Sequence, residues 1–410
     1  MEQPSCVLPM KYASVTRASA LGVPAEFVVF LAGLIALGLI LTMPDFSVSG
    51  TYLDMLRYAA SLLKGRLLMT DISTDIWGFQ ALLRHENAYP LVSDAAARAG
   101  FDWPAHHAST HPPTAYLLVA PVSFLPLGAA VATWSWAMLA LIAVSFRIMG
   151  LTWFSAIGFG CLSLLWPPAA FSLAQFTPIW MFAIVVTAYA GQNLAGTAIA
   201  VAAMTKYYPA ILLWPFIVRR NFRPLIIFVA IFVVAAAVLY LLDAGIFARY
   251  FEANRTASPY NIARVDNASP LAYFYRKVGV PGALAVLVYL AWIWLVTLPR
   301  QKDHVFSAML HGYLSVALLP IGWLYSTLPL LPVMLLFMRK VSVAGGIAAF
   351  SFIALLLCPR FGGGSAKYIV GAILLLGVCF VADVLAKERG RWGDGAADYR
   401  GGDQPGIHNQ

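Results

Sequence analysis

Apolar runs of about 16 to 25 residues, broken by short polar or basic stretches, recur along nearly the whole chain. An α-helix of about this length crosses roughly 30 Å of hydrocarbon, so each run predicts a membrane span. Length and apolarity place candidate spans at 24–44, 113–127, 129–147, 151–170, 172–191, 194–218, 224–243, 279–298, 305–320, 322–338, 341–358 and 366–386. Two stretches, 45–112 and 244–278, are too long and too polar to cross. Within the first, 51–64 and 75–85 carry apolar residues at helical spacing with polar ones between, which predicts helices lying in the membrane interface. The pattern gives an all-α polytopic membrane protein with about twelve spans in one transmembrane domain over 1–386. Residues 387–410 are Gly-rich and polar, without apolar periodicity, and read as a disordered cytoplasmic tail.

Basic residues orient these spans. Arg219 to Arg223, Arg300 with Lys302, Arg339 with Lys340, and Lys387, Arg389 and Arg391 mark cytoplasmic loops, because Lys and Arg accumulate on that side. Counting back, both polar loops and any site they build face outward. Arg147 dissents, since twelve crossings leave it outside. An alternative makes 113–127 a short, non-spanning helix and breaks 194–218 near Pro209, which returns Arg147 to the inside. Both paths keep the two polar loops on one face.

Composition agrees with the pattern. Hydrophobic residues make up 61% of the chain and charged residues 11%, far from the roughly 25% charge of soluble domains, and mean hydropathy is +0.77. The net charge of +9 is spent in the basic breaks between spans, so it encodes orientation and not a nucleic-acid surface. The four cysteines form no CxxC pair, which argues against a disulfide framework or a zinc site.

Candidate chemistry concentrates between Thr74 and Pro113. Asp75, beside Trp77 and Tyr89, suits a general base toward a hydroxyl arriving at the membrane surface; equally, Thr74 or Asp75 suits the N-cap of a helix running through Leu83. His106, His107 and His111 with Asp102 look like metal ligands but lack a helical HxxxH followed by a fixed third ligand, so no metal is expected. His111-Pro112-Pro113 reads instead as a rigid start to the next helix. Lys206, inside an apolar run beside Pro209, suits a phosphate or a snorkelling lysine. Gln175 marks a kinked junction after Trp166-Pro167-Pro168. In the second loop, Arg255, Arg264, Asn267 and Arg276 lie among tyrosines, a mixture that suits a sugar phosphate and equally an aromatic belt.

The order of motifs adds a resemblance. It runs from an Asp-led helix ending in Asn87-Ala88-Tyr89-Pro90, through His111-Pro112-Pro113 with Pro121, Gln175, Lys206 before Pro209, and Asn267 with Ser269 and Arg276, to Pro320 and Trp323. Over roughly 24–386 this resembles glycosyltransferase family 87, the bacterial polyprenyl-phosphate-mannose-dependent mannosyltransferases of the GT-C fold. The resemblance implies metal-independent, inverting transfer of a sugar, without cofactor, from a polyprenyl phosphate to a lipid or glycan acceptor outside the bacterial cytoplasmic membrane. It implies a catalytic aspartate in the first outer loop, matched here by Asp75, with Asp54 in reserve because it lies closer to the first span. Lys206, Arg255, Arg264 and Arg276 become phosphate candidates, and Trp77, Tyr89, Trp103, Asn267, Trp323 and Tyr325 sugar or acceptor candidates. Two positions depart from the family pattern: its Tyr-Pro-Pro is His111-Pro112-Pro113, and its His after Pro-x-x-Trp is missing, leaving Tyr325 nearest. The competing class is a multi-span transporter or lipid-linked-sugar flippase, for which two related halves would be expected.

Overall fold

The computed structural model describes residues 24–46, 52–68, 70–98, 109–339, 342–357 and 363–398. Every regular element among them is helical. The chain opens with α1 (Ala25–Thr42), followed in the first polar loop by α2 (Tyr52–Leu63), α3 (Asp71–Leu83) and α4 (Val92–Arg98). Then come α5 (Thr114–Val119), α6 (Leu127–Ile148), α7 (Trp153–Ser163), α8 (Pro167–Ser172), α9 (Thr177–Tyr189) and α10 (Gln192–Thr205). A 3₁₀ segment, Tyr208–Leu213, leads into α11 (Trp214–Val218) and α12 (Arg223–Leu242). The second polar loop folds as α13 (Ile246–Ala263) and α14 (Pro270–Val278), before α15 (Val280–Val296) and α16 (His304–Ala317). A second 3₁₀ stretch, Leu324–Leu330, precedes α17 (Leu331–Met338), α18 (Val343–Leu356) and α19 (Gly363–Asp398).

Four helices, α1, α6, α12 and the apolar part of α19, are long and apolar enough to cross a membrane, and several shorter apolar helices accompany them. Helices α1 and α12 leave most of their apolar residues outward, Leu39, Val233 and Leu241 among them, the side that lipid would cover. Helices α9 and α16 are buried on nearly every face and form the centre, as expected for helices apolar all round. Contacts join α1 to α7, α6 to α7 and α9, α10 to α9 and α12, and α16 to α9 and the first 3₁₀ segment.

Several predicted runs are broken. The run at 113–127 yields only the six-residue α5, and the run at 194–218 stops at Thr205 before resuming as 3₁₀ helix at Tyr208. Both follow the alternative path drawn from the sequence. Prolines supply the reason: Pro126 precedes α6, and Pro209 cannot donate into a helix continuing from α10. Trp166-Pro167-Pro168 likewise divides 151–170 into α7 and α8. At the other end, α19 carries through Lys387 to Asp398 where an unstructured tail was predicted; Ala386, Lys387, Glu388 and Arg389 prolong the helix begun by its apolar part, and it runs on past Gly390, Gly393 and Gly395, which disfavour it. Residues 399–410 lie outside the described residues.

The first polar loop is packed, not laid on the surface. Met55, Ala59 and Leu62 of α2 are fully buried, and α2 sits against α6 and α8, while α3 sits against α5. Gly78 makes the last contact possible: a Cβ there would lie 2.7 Å from the Tyr116 ring and 2.9 Å from the Ala88 carbonyl.

Candidate active site

Helix α3 begins four residues earlier than the sequence predicted. Thr70 is its N-cap, accepting from the Ser73 amide at 3.4 Å and sharing a 2.9 Å hydroxyl contact with Ser73. Neither Thr74 nor Asp75 caps it; Asp75 lies in the second turn. Asp71 becomes the first helical residue, where the helix dipole favours a negative charge. Residues four apart share a helix face, so Asp71 and Asp75 present their carboxylates together. Two like charges so placed repel, and burial would add to the cost unless each were paired.

Each is paired. Asp71 Oδ2 accepts from Gln175 Nε2 at 2.7 Å and from the Tyr325 hydroxyl at 3.1 Å. Asp75 is fully buried; Ser109 Oγ donates to its Oδ1 at 3.1 Å, and His111 Nδ1 meets its Oδ2 at 2.8 Å. Lys206 lies within electrostatic reach of both carboxylates, placed there by the break after α10, where its backbone is extended (φ −160°, ψ 142°). Among the described residues its ammonium takes no hydrogen-bond partner. Thr114 Oγ1 donates to the Met204 carbonyl at 2.7 Å and ties the 109–116 segment to that break.

Aromatic residues hold this arrangement. The Tyr89 hydroxyl donates to the His111 carbonyl at 3.0 Å, and Tyr116 to the Ala88 carbonyl at 2.7 Å. Burial, then the neighbouring Tyr116 and Asp75, push the Tyr89 phenol well up, so it remains a neutral donor. Tyr89 also lines an open cavity of about 1090 Å³ between the 84–94 stretch and α13, with Arg84, Asn87, Arg249 and Glu252 on its walls. The two aspartates do not line that cavity; Tyr89 stands between it and His111.

The remaining candidates divide. Arg264 pairs with Asp266 at 2.7 Å, lies 4.7 Å from the Trp323 ring centre and is in electrostatic contact with Tyr325, whose hydroxyl donates to Asp71. Asn267 is fully buried and donates to the Asn261 and Pro320 carbonyls while its oxygen accepts from the Ser269 and Gly322 amides. Arg276 donates to the Ile262 and Asn267 carbonyls at 2.9 and 2.6 Å. These contacts fasten the second loop to the Pro320–Trp323 stretch. Arg255 is exposed and bound to Glu252, Asp54 lies on α2 at 3.5 Å from Arg57, and Trp77 turns from Asp75 toward Ala96 of α4. Trp103, Asp102, His106 and His107 lie outside the described residues.

Asp71 and Ser109 were missed from the sequence, and Gln175 was read as a kinked junction and a motif position but not as a partner of an acid. The available signal was the spacing of Asp71 and Asp75, which puts two acids on one helical face. What the spacing could not show was that Thr70, and not Thr74, begins the helix.

Comparison with known proteins decides the class. The model of glycosyltransferase family 87 matches residues 110–327, just over half of the chain. The chain belongs to glycosyltransferase family 87. The matched stretch opens one residue before His111 and closes two after Tyr325, so it spans Gln175, Lys206, Arg264 and Asn267, while α3 lies upstream of it. Comparison with curated proteins and with solved structures gives no significant match. This family 87 chain is thus a membrane glycosyltransferase, which requires a sugar donor and an acceptor, and the transporter alternative is set aside.

Proposed function

We propose that this glycosyltransferase moves a sugar, with mannose the first to test, from a polyprenyl phosphate to a lipid or glycan acceptor on the outer face of the bacterial cytoplasmic membrane. The observation that carries this reading is a buried carboxylate, Asp75, with an ammonium, Lys206, within its electrostatic reach. A sugar joined to phosphate through its anomeric carbon is already activated. Transfer then needs a negatively charged group to draw the proton from the acceptor hydroxyl and a cation to receive the charge developing on the departing phosphate. Asp75 supplies the first charge, and Lys206 with Arg264 the second, in a role that needs no metal. Attack opposite the phosphate inverts the anomeric centre. Asp54, which Arg57 holds within α2, has no part in this scheme.

Membranes containing the protein, given radiolabelled polyprenyl-phosphate mannose and octyl mannoside in EDTA, should form labelled glycolipid. Asp75→Asn should lose about 10² to 10⁴ of that rate, the usual worth of general base catalysis. Full activity of Asp75→Asn alongside a dead Asp54→Asn would transfer the assignment to Asp54.

A further inference from the structure

We infer that His111 is a catalytic residue: its imidazole takes the acceptor proton directly, with Asp75 behind it as the charge that holds and supports the ring. This rests on the glycosyl-transfer reading above and assigns the proton to a particular atom. The side chain of Asp75 has no solvent exposure, whereas that of His111 retains 11%. Both Asp75 oxygens are already engaged, one by Ser109 and one by His111 Nδ1. An ionised carboxylate only accepts, so Nδ1 carries the hydrogen, and in the neutral ring the lone pair sits on Nε2, on the far side from Asp75. Nε2 has no hydrogen-bond partner among the described residues, and it is not one of the sealed nitrogens, as His311 Nε2 is. The ring cannot swing away. Its edge packs at 5.0 Å on Phe176, which packs in turn on Trp134, and Tyr89 and Ser109 hold its backbone.

A base oriented by a third group is the usual way a hydroxyl is activated. In the step inferred here the acceptor O–H bond breaks and its proton passes to His111 Nε2. The oxygen forms the new bond to the anomeric carbon, the bond from that carbon to the phosphate oxygen breaks, and its electron pair stays on the polyprenyl phosphate. The resulting imidazolium faces Asp75 and later returns its proton to water. The titratable groups in electrostatic contact with Asp75 behind the ring are Lys206 from the end of α10, Tyr89 from the loop after α3 and Tyr116 from α5, and Lys206 also reaches Asp71.

His111→Asn separates the base from the tether, because an asparagine amide donates from nearly the position of Nδ1 and cannot act as a base. With polyprenyl-phosphate mannose and octyl mannoside, the full-length variant in membranes should lose about 10² to 10⁴ of the rate. The acid limb of the wild-type pH–rate profile should be absent from the residual rate of His111→Asn. His111→Asn within threefold of wild type, or with the same acid limb, would overturn the inference and return the proton to Asp75. If His111→Asn is not recovered folded, His111→Gln is read by the same two measurements. Wild-type membranes that release no polyprenyl phosphate from mannose, glucose or arabinose donors would overturn the glycosyl-transfer reading itself, and this inference with it.

Discussion

Asp71 and Asp75 stand one helical turn apart in different surroundings. Asp71 is half-buried, and its Oδ1 takes no hydrogen bond among the described residues, while Oδ2 collects Gln175 and Tyr325. Openness alone would make Asp71 the base. Its partners point elsewhere: Gln175 comes from the turn before α9 and Tyr325 from the stretch after Pro320, so Asp71 joins distant elements, whereas Asp75 meets a histidine. Asp71→Asn keeps the shape and leaves Gln175 and Tyr325 bonded to a neutral acceptor. Hydrogen bonds to charged groups are about twice as strong as neutral ones, so about 1.5 kcal/mol is lost, near a tenfold change in rate. Transfer by Asp71→Asn should therefore fall about tenfold, well short of Asp75→Asn. Equal losses in side-by-side transfer assays would instead make Asp71 the base.

Among the elements, α3 carries the proposed base and its seat is narrow. The interface prediction for this helix recognised its mixed face but not its depth, because periodicity shows which residues share a side and not what covers them. Ile72, Ile76, Phe79 and Leu82 are all buried in the core, a face that alternates with the acidic one. Gly78 brings α3 against Tyr116, and the added methyl of Gly78→Ala would meet both a ring and a carbonyl under 3.0 Å. The ring is fixed by its bond to Ala88, so α3 must shift by some tenths of an ångström, taking Asp75 with it. Gly78→Ala should cut transfer by about tenfold to 10²-fold, since misplacement of a reacting group by about 1 Å costs 10²-fold. It should also lower the midpoint of thermal unfolding in detergent, overpacking costing about 1 to 3 kcal/mol. Unchanged activity would mean that α5, not α3, gives way.

On the scale of the whole molecule, the site is assembled from Asp71 to Tyr325 through breaks in spans, which explains what the sequence could and could not disclose. The all-helical apolar architecture and the two polar loops were legible, and Asp75, Lys206 and Tyr325 could be picked out as candidates, because hydrocarbon tolerates few polar residues, so those present stand out. The pairing of Tyr325 with Asp71 was not, because contact across more than two hundred residues depends on how the breaks at Pro167, Pro209 and Pro320 aim their flanking helices. Asn267 holds one of those breaks in place. Its amide donates to Asn261 and Pro320 and its oxygen accepts from Ser269 and Gly322, while Ser269 Oγ donates to the Leu319 carbonyl. In Asn267→Ala four backbone groups lose partners, three of them buried, and each buried loss costs about 1 to 3 kcal/mol where water cannot enter. Tyr325, three residues beyond Gly322, would then lose its fixed approach to Asp71. We expect Asn267→Ala to lower the unfolding midpoint by several degrees and to reduce transfer more than Asp71→Asn does. Asn267→Asp, which keeps the two accepted bonds and loses the two donated ones, should fall between Ala and wild type in both measurements. A stable, fully active Asn267→Ala would mean that Arg276, bonded to the Ile262 and Asn267 carbonyls, fastens the loop without it.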